Sequence, residues 1–449
     1  MEVIVIGAGP TGLTLGAMLA RRGHHVTAFD RDAGPARDGS WRHRGVMQFE
    51  HPHGFRAQVR DLLIEEWPEA WQTWLDLGAE PIDREVPGAL AAVVGVRSRR
   101  STYERALRSA AAHVSGFAVE VGQVDRLIEH SGTVTGVSVN GAQVHADLVI
   151  DASGRISRLA DRDVVDLDGD TGMAYVTRTY RRHRGAGMGP MTGPIAWVGI
   201  FDGYQVYVFP HERGHFSVVI VRPTADPDLT LLRHVDAFDA TCRAIPGLAE
   251  WTDPAYAAPT SGVLIGGRLR NVYRSQRGLP GLVAVGDSVA TTAPTAGRGV
   301  AMASMQINGL LDLLDSGADA ATIWEPFDGW CDTWIRPWVE DHLAMDGEAV
   351  RSWQGADIDL GRPLTSAAIV AAAQADPRIN AHLFGYMTMT ELPASLAPAE
   401  PLARAVYESG WRQPTSEGPT RDGLVELLES VTFSGAARRP SSYPRVRAG

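Results

Sequence analysis

The chain has 449 residues, enough for two or three domains around a sizeable core. Its net charge of −11 argues against nucleic acid as a partner, and two cysteines, Cys242 and Cys331, with no C-x-x-C pair rule out a disulfide framework. No apolar run is long enough to span a bilayer, and a strand beginning at residue 2 or 3 leaves no room for a leader peptide, so a soluble cytoplasmic protein is expected.

Val3 to Ile6 is a continuous apolar, β-branched run, the pattern of a parallel strand buried on both faces. Gly7, Gly9 and Gly12, with Pro10 and Thr11 between the last two, follow as G-x-G-x-x-G. In that pattern the first glycine makes a tight turn, the second lets backbone approach a phosphate, and the third lets the next helix pack on the sheet. Leu13 to Arg22 is the predicted helix, whose N-terminus offers N–H groups and a positive dipole end to an anion. A second strand, Val26 to Phe29, ends at Asp30, eighteen residues beyond Gly12. A carboxylate there accepts ribose hydroxyls and repels a 2′-phosphate, which leaves FAD or NAD as the ligand; Arg31, directly after it, weakens that repulsion.

Arg100 to His113 is predicted as a helix with Tyr103, Ala106, Leu107 and Ala110 on one face. Short alternating stretches follow, the last turning at Asn140-Gly141, a type I′ hairpin signal. Leu148 to Ile150 is a buried strand ending at Asp151. Residues 195 to 222 contain strand-like runs broken by Gly and Pro, as in a separate antiparallel sheet. From Leu282 a buried strand leads into a loop and a helix from about Val300 to Leu314, and the last hundred residues are mostly helical.

Four motifs now stand in order: GAGPTG with Asp30; R-x-x-Y-E-x-x-L-R from Arg100 to Arg108; ADLVIDASGR; and G-D-x(6)-P-x-x-G-x-G from Gly286 to Gly299. Together they resemble the FAD-dependent aromatic hydroxylases of the p-hydroxybenzoate hydroxylase superfamily. The segments RHRGVMQFEHPHGF, MAYVTRTYRR and DPRINAHLFGYMTMTELPASL are similar to a branch with polyketide epoxidases and hydroxylases, related to styrene monooxygenase.

The resemblance implies an α/β fold: a Rossmann-like FAD-binding domain of glutathione-reductase type (1–80, 97–172 and 270–335), an inserted antiparallel-sheet substrate domain (81–96 and 173–269) and a helical C-terminal region (336–449). It implies that Gly7, Gly9, Gly12 and Asp30 hold the ADP half of FAD, with Asp151 nearby. Arg44 and Arg100 would reach the pyrophosphate and ribityl region, and Gly286-Asp287 a ribityl hydroxyl. The loop from Pro294 through Gly297 and Arg298 to Gly299 would run beside the isoalloxazine. The implied activity is transfer of one oxygen atom from O2, through a flavin C4a-hydroperoxide, to a small hydrophobic substrate packed against Trp197, Phe201, Tyr207 and Phe209. With one dinucleotide fingerprint, NAD(P)H docks transiently or a partner flavin reductase delivers reduced flavin; a monomer or homodimer is expected.

The cofactor would carry the chemistry, so no acid–base pair is required, and His53, Pro294 and Gly297 are the only catalytic candidates. His51 and His53 have metal-like spacing but no second ligand cluster, so no metal site is expected. Trp67, Trp71 and Trp74, and Trp330, Trp334 and Trp338, recur at helical spacing, as in core packing. The basic run Arg178, Arg181, Arg182 and Arg184 fits a nicotinamide phosphate or a solvated strand edge equally. Two rival readings are a flavin reductase of the geranylgeranyl-reductase type and a non-catalytic dinucleotide-binding protein. All 42 basic residues are arginine.

Overall fold

The computed structural model describes residues 1–436 except 37, 42, 44, 45, 85–91, 156, 158, 160–164 and 268. A five-stranded sheet forms its frame, built from β1 (Glu2–Ile6), β2 (His25–Asp30), β3 (Phe117–Val121), β4 (Leu148–Asp151) and β5 (Leu282–Ala284). All neighbours run parallel in the order β5-β4-β1-β2-β3, with Val5 between Ile150 and Ala28. The apolar run of β1 is explained by its two covered faces. Val3 and Val5 enter one core with the helices, whereas Ile4 and Ile6 enter another with Val134, Val137 and Val139. Those three valines belong to an antiparallel meander, Val124–His130, Thr133–Val139 and Ala142–His145. Its second turn has Asn140 at φ 49° and Gly141 at φ 84°, the left-handed pair that the Asn-Gly dipeptide predicts. On the other face lie α1 (Pro10–Arg21), α2 (Arg100–Ala111) and α3 (Gly299–Asp315).

The chain divides into two compact units, one of residues 1–172, 210–213 and 268–413, the other of 173–209, 214–267 and the remainder from 414. This differs from the expected partition: 210–213 lies in the first unit, the residues from 414 lie in the second, and two further segments also change sides. Within the segment 81–96 expected in the substrate domain, the strands Glu80–Arg84 and Ala92–Arg97 pair antiparallel inside the first unit, and Ala92–Arg97 also pairs with Phe55–Arg56. The helices Arg336–Trp353, Ser366–Ala372, Leu383–Thr388 and Glu400–Glu408 also belong to the first unit, because Trp338, Ile369, Tyr386 and Tyr407 bury their apolar stripes in its main core. Among the described residues no helix is long and apolar enough to cross a membrane.

The second unit is an antiparallel sheet ordered Trp197–Phe201, Tyr204–Pro210, His215–Pro223, Met173–Arg182, Ala257–Pro259. Its core face packs on Val235–Ala244, Pro246–Thr252 and Arg421–Ala436 through Phe238, Leu248, Trp251, Leu424 and Leu428. Within the basic run, Arg178 is buried and paired with Asp239, a structural role.

Trp67, Trp74 and Trp338 are fully buried, as the helical spacing predicts, but Trp334 is largely exposed. Trp74 stacks obliquely on Tyr103 at 4.6 Å, meets Phe55 edge-on at 5.1 Å and donates Nε1–H to Ser98 Oγ at 2.9 Å. Trp74→Ala is therefore expected to cost about 3–5 kcal/mol of stability in denaturant titration, and the half-buried Trp71→Ala distinctly less.

Candidate functional site

Parallel strands leave their carboxyl ends on one side, and a ligand binds where the connections diverge. Here they diverge between β1, whose helix leads to β2, and β4 on its other flank. A cavity of about 430 Å³ lies over these ends, lined by Asp30 and Arg31 at the end of β2, Gly7, Gly9, Pro10 and Thr11 after β1, Ala152 to Arg155 after β4, and Asp287 after β5. It reaches the first turn of α3 at Gly299 and Val300. Crossing from β2 to β5 takes three strand spacings, about 14 Å.

The three fingerprint glycines have three distinct causes. Gly7 has φ 101°, and a Cβ there would stand 2.6 Å from the Ala152 carbonyl oxygen. A Cβ on Gly12 would stand 1.9 Å from the Gly7 oxygen, so α1 can lie this close to β1 only with glycine. At Gly9 a Cβ would meet nothing within 4 Å and would project into open cavity. The first bond of α1, Leu13 N–H to Gly9 O at 2.9 Å, leaves the earlier N–H groups to a ligand. Asp30 accepts Ala8 N–H at 2.7 Å and Asp32 N–H at 2.8 Å, one on each oxygen, which orients its remaining lone pairs.

Asp287 lines the far end of the cavity, and its carboxylate accepts no hydrogen bond among the described residues. Burial pushes its carboxyl above the ordinary range against the pull of Arg100, Arg155 and Arg274. An unpartnered acceptor in a partly dry wall matches a ligand hydroxyl. Free helical N–H groups, an open space at Gly9 and this carboxylate together fit an extended ADP-containing cofactor such as FAD. Among the described residues no cluster of His, Cys, Asp and Glu is placed to hold a metal.

Arg100 lines the cavity from the first turn of α2, held by Glu104 through Nε at 2.5 Å and by His53 Nε2 at 3.1 Å from Nη1. Burial alone raises the Glu104 carboxyl, but Arg100 and His43 outweigh it and leave the group below its ordinary range. His53 Nδ1 lies 3.0 Å from the His51 carbonyl, so the proton sits there and Nε2 accepts from Arg100. Burial and the neighbouring guanidinium push His53 down to about 3, which keeps it neutral.

His53 thus steadies Arg100 rather than lining the cavity, a correction to its reading as a catalytic candidate. Asp151 is also corrected. Its carboxylate accepts Ser153 N–H and the Ser153 and Ser157 hydroxyls, shaping the turn whose backbone forms the wall. Arg298 points away from the cavity. Its guanidinium pairs with Asp341 at 2.6 Å and lies over the Trp338 and Tyr386 rings, 4.7 and 5.0 Å from their centroids, because a 3%-exposed cation must find a carboxylate inside. Pro294 and Gly297 lie behind the wall, and Gly286, at φ 69°, supports it against Thr11; Arg44 lies outside the described residues.

In the second unit the four expected substrate residues divide by strand period. Trp197 and Phe201 face the unit's own core, and Phe201 stacks on Tyr204 at 4.7 Å. They are core residues, which corrects their reading as substrate contacts. Tyr207 and Phe209 stack at 5.9 Å on the opposite face.

Several residues of the site have no sequence signal. His43 stands between Asp32 Oδ2 at 3.2 Å and Glu104 Oε2 at 3.4 Å. Behind the wall, Asn271 accepts Ala293 N–H and donates to Asp346 Oδ2, both at 2.7 Å. Burial pushes the Asp346 carboxyl up to about 6.

Residues 2–117 match the family model described as FAD dependent oxidoreductase. A D-amino acid dehydrogenase of Sinorhizobium medicae is 47% identical over 67 residues, 15% of this chain; the match spans only 16% of that relative's length. Among solved structures, a triple mutant of the flavin-dependent brominase Bmp2 is similar over 97% of this chain and 99% of its own, with a TM-score of 0.59 and 14% identity. The anhydrotetracycline hydroxylase OxyS from Streptomyces rimosus is similar over 87% of this chain and 77% of its own, with a TM-score of 0.58 and 15% identity. The fold is thus the α/β flavoprotein fold, a parallel Rossmann-like sheet with added antiparallel sheets and C-terminal helices.

Two expected outcomes follow from this geometry. Gly12→Ala should destabilise the protein by about 1–3 kcal/mol in chemical denaturation, since backbone must shift. Gly9→Ala should leave stability unchanged and weaken FAD binding at least tenfold, about 1.4 kcal/mol, in a fluorescence titration. A further outcome concerns pH. Asp346 titrates near 3.8 when unfolded and at about 6 when folded, so folding takes up a proton. Its contribution is intact below the unfolded value and is lost as pH rises through 6. Asp346→Asn should therefore gain up to about 3 kcal/mol relative to the unsubstituted protein between pH 4 and pH 7.5 in parallel denaturant titrations.

Proposed function

We propose that the chain is an FAD-dependent monooxygenase that hydroxylates or epoxidises a hydrophobic organic substrate of the secondary-metabolite kind. The observation that carries this reading is the single cavity in which the Gly7–Gly12 turn, Asp30, Arg100 and Asp287 meet. All four motifs that resemble the aromatic hydroxylases contribute to its wall, although they lie far apart in sequence. The fold likeness to a flavin brominase and to a hydroxylase extends over most of the chain.

In this reading Gly9 and the N-terminus of α1 receive the pyrophosphate, Asp30 the ribose hydroxyls and Asp287 a ribityl hydroxyl. The first N–H groups of α3 face the ring end, where the positive end of the helix dipole stabilises negative charge. Bound FAD supplies the activation of O2 and the transfer of one oxygen atom. Arg100 is held in place by Glu104 and His53, so its charge stays over the cavity whether or not a ligand is bound. Tyr207 and Phe209 are the remaining substrate-facing candidates. Among the described residues one dinucleotide fingerprint is found, so reducing equivalents come from a transiently docked NAD(P)H or from a separate flavin reductase.

The dehydrogenase match favours a second reading, a flavin dehydrogenase without oxygen transfer. It spans 67 residues, fewer than the separation of Gly12 from Gly286, and so cannot include both ends of the cofactor cavity. Halogenation is disfavoured by composition. Relaying hypohalous acid through a side-chain ammonium requires lysine, which this chain lacks, and a guanidinium with pKa above ~12 is a poor substitute.

The purified protein is expected to be yellow, to consume O2 with a suitable hydrophobic substrate, and to place one atom from labelled O2 in the product, read by mass spectrometry. Product with unchanged oxygen content supports the dehydrogenase instead. A halogenated product formed in saturating chloride or bromide overturns the proposal, as does a protein that takes up no FAD.

A further inference from the structure

Behind the ring end of the cavity, the segment Ala293–Gly299 is held at several points by buried groups. Asn271 holds Ala293 N–H, and Pro294–Ala296 form a short turn closed by Gly297 N–H to Pro294 O at 2.9 Å. Gly297 adopts φ 60° and its Cα lies against Gly54. The Phe55–Arg56 strand runs directly past it. Arg56 donates Nη2–H to the Ala296 carbonyl at 2.6 Å, Nε–H to the Gly297 carbonyl at 3.3 Å and Nη1–H to the Met387 carbonyl.

Two consequences follow from this clamp. In a trans peptide the N–H points opposite the C=O, so fixing the Gly297 carbonyl toward Arg56 turns the Arg298 N–H away from it. That N–H adjoins the free N–H groups at the start of α3, which reach the cavity wall at Gly299. The second consequence is electrostatic. Arg298, the other buried guanidinium of this layer, is neutralised by Asp341, whose oxygen also accepts the Tyr386 hydroxyl at 2.8 Å. Arg56 has only neutral carbonyl partners among the described residues, and its charge is therefore not cancelled by a contact. Burial, followed by the nearby Arg298, lowers its guanidinium to about 10, which leaves it charged at neutral pH.

We propose that Arg56 is a positioning residue that fixes the Ala296 and Gly297 peptides and, as an unneutralised cation behind them, makes the site bind reduced FAD more tightly than oxidised FAD. This rests on the reading of the cavity as an FAD site. Two-electron reduction with uptake of one proton leaves the ring with one additional negative charge, which a nearby fixed cation favours over the neutral oxidised ring. A lysine at this position would keep the charge but could not span the Ala296, Gly297 and Met387 carbonyls with a planar fork.

The test uses the full-length chain loaded with FAD, with Arg56→Met and Arg56→Lys beside the unsubstituted protein. The flavin midpoint potential is measured by dithionite titration against a reference dye, together with the Kd of oxidised FAD and the melting temperature. Arg56→Met should bind reduced relative to oxidised FAD about tenfold more weakly, a potential lower by about 30 mV for a two-electron couple. Arg56→Lys should weaken binding of oxidised FAD through the lost clamp yet keep the potential near that of the unsubstituted protein. An unchanged potential in Arg56→Met overturns the inference even if the melting temperature falls, because a merely structural role moves only the latter. Should Arg56→Met not hold FAD, a potential in Arg56→Lys lowered by about 30 mV overturns it, and an unchanged one supports it. Failure of the unsubstituted protein to take up FAD overturns both this inference and the reading beneath it, whereas an FAD-loaded protein with insensitive variants overturns this inference alone.

Discussion

The carbonyl oxygen of Gly7 occupies the space where a side chain on residue 12 would begin, and the architecture of the cavity depends on that approach. It lets α1 lie directly over the end of β1, so the helix points its free N–H groups across the strand ends instead of into solvent. The same turn is tied to both neighbouring strands. Gly7 N–H bonds to the Phe29 carbonyl at 2.8 Å, Gly7 packs against the Ala152 carbonyl, and Ala8 N–H holds the Asp30 carboxylate. The α1 N-terminus and the Asp30 carboxylate are thereby fixed relative to one another before any ligand arrives, the condition for tight binding at low ordering cost.

Charge is managed by the same economy of partners. The helix α2, which presents Arg100, begins beside the fully buried Glu212. That carboxylate accepts Arg99 N–H at 2.8 Å, Arg99 Nε–H at 2.7 Å and the Thr102 hydroxyl at 2.6 Å. An acid at a helix N-terminus opposes the positive end of the dipole, and these donors hold the carboxyl below its ordinary range despite burial. Glu212 comes from the short segment 210–213, which belongs to the first unit although the residues on either side of it belong to the second. Arg100 is in turn held by Glu104 and a neutral histidine. A cation over the cavity is thus sustained by two buried carboxylates, one at each level of support.

The exclusive use of arginine acquires a structural meaning behind the cavity wall. Arg56 bonds three carbonyls, and Arg298 lies over two aromatic rings while paired with Asp341. Both arrangements need a planar group with several donors, and an ammonium cannot supply either. The C-terminal helices carry Asp341, Asp346, Tyr386 and the Met387 carbonyl. They are therefore the back of the site rather than an appendage to it, which is why their apolar residues enter the main core.

The sequence by itself determined the β1–α1–β2 unit, the tight turn at Gly7, the close approach at Gly12, the end of β2 at Asp30 and the hairpin turn at Asn140-Gly141. In each of these the signal is local. A backbone angle, a close approach or a strand end restricts the residue type within a few positions, so the restriction can be read along the chain. Side-chain direction was not legible in the same way. Trp197 and Phe201 are aromatic like Tyr207 and Phe209, and only the pleat and the packed helices decided which pair is core. Arg298 lies within a recognisable loop motif, yet the need of a buried guanidinium for a carboxylate turned it toward Asp341. His53 became a support for Arg100 because burial keeps its ring neutral. Arg56 carries no motif at all, since a bond to backbone carbonyls 240 residues away constrains geometry without leaving a spacing in the sequence. These assignments depend on which groups share a low-dielectric interior, and only the tertiary structure decides that.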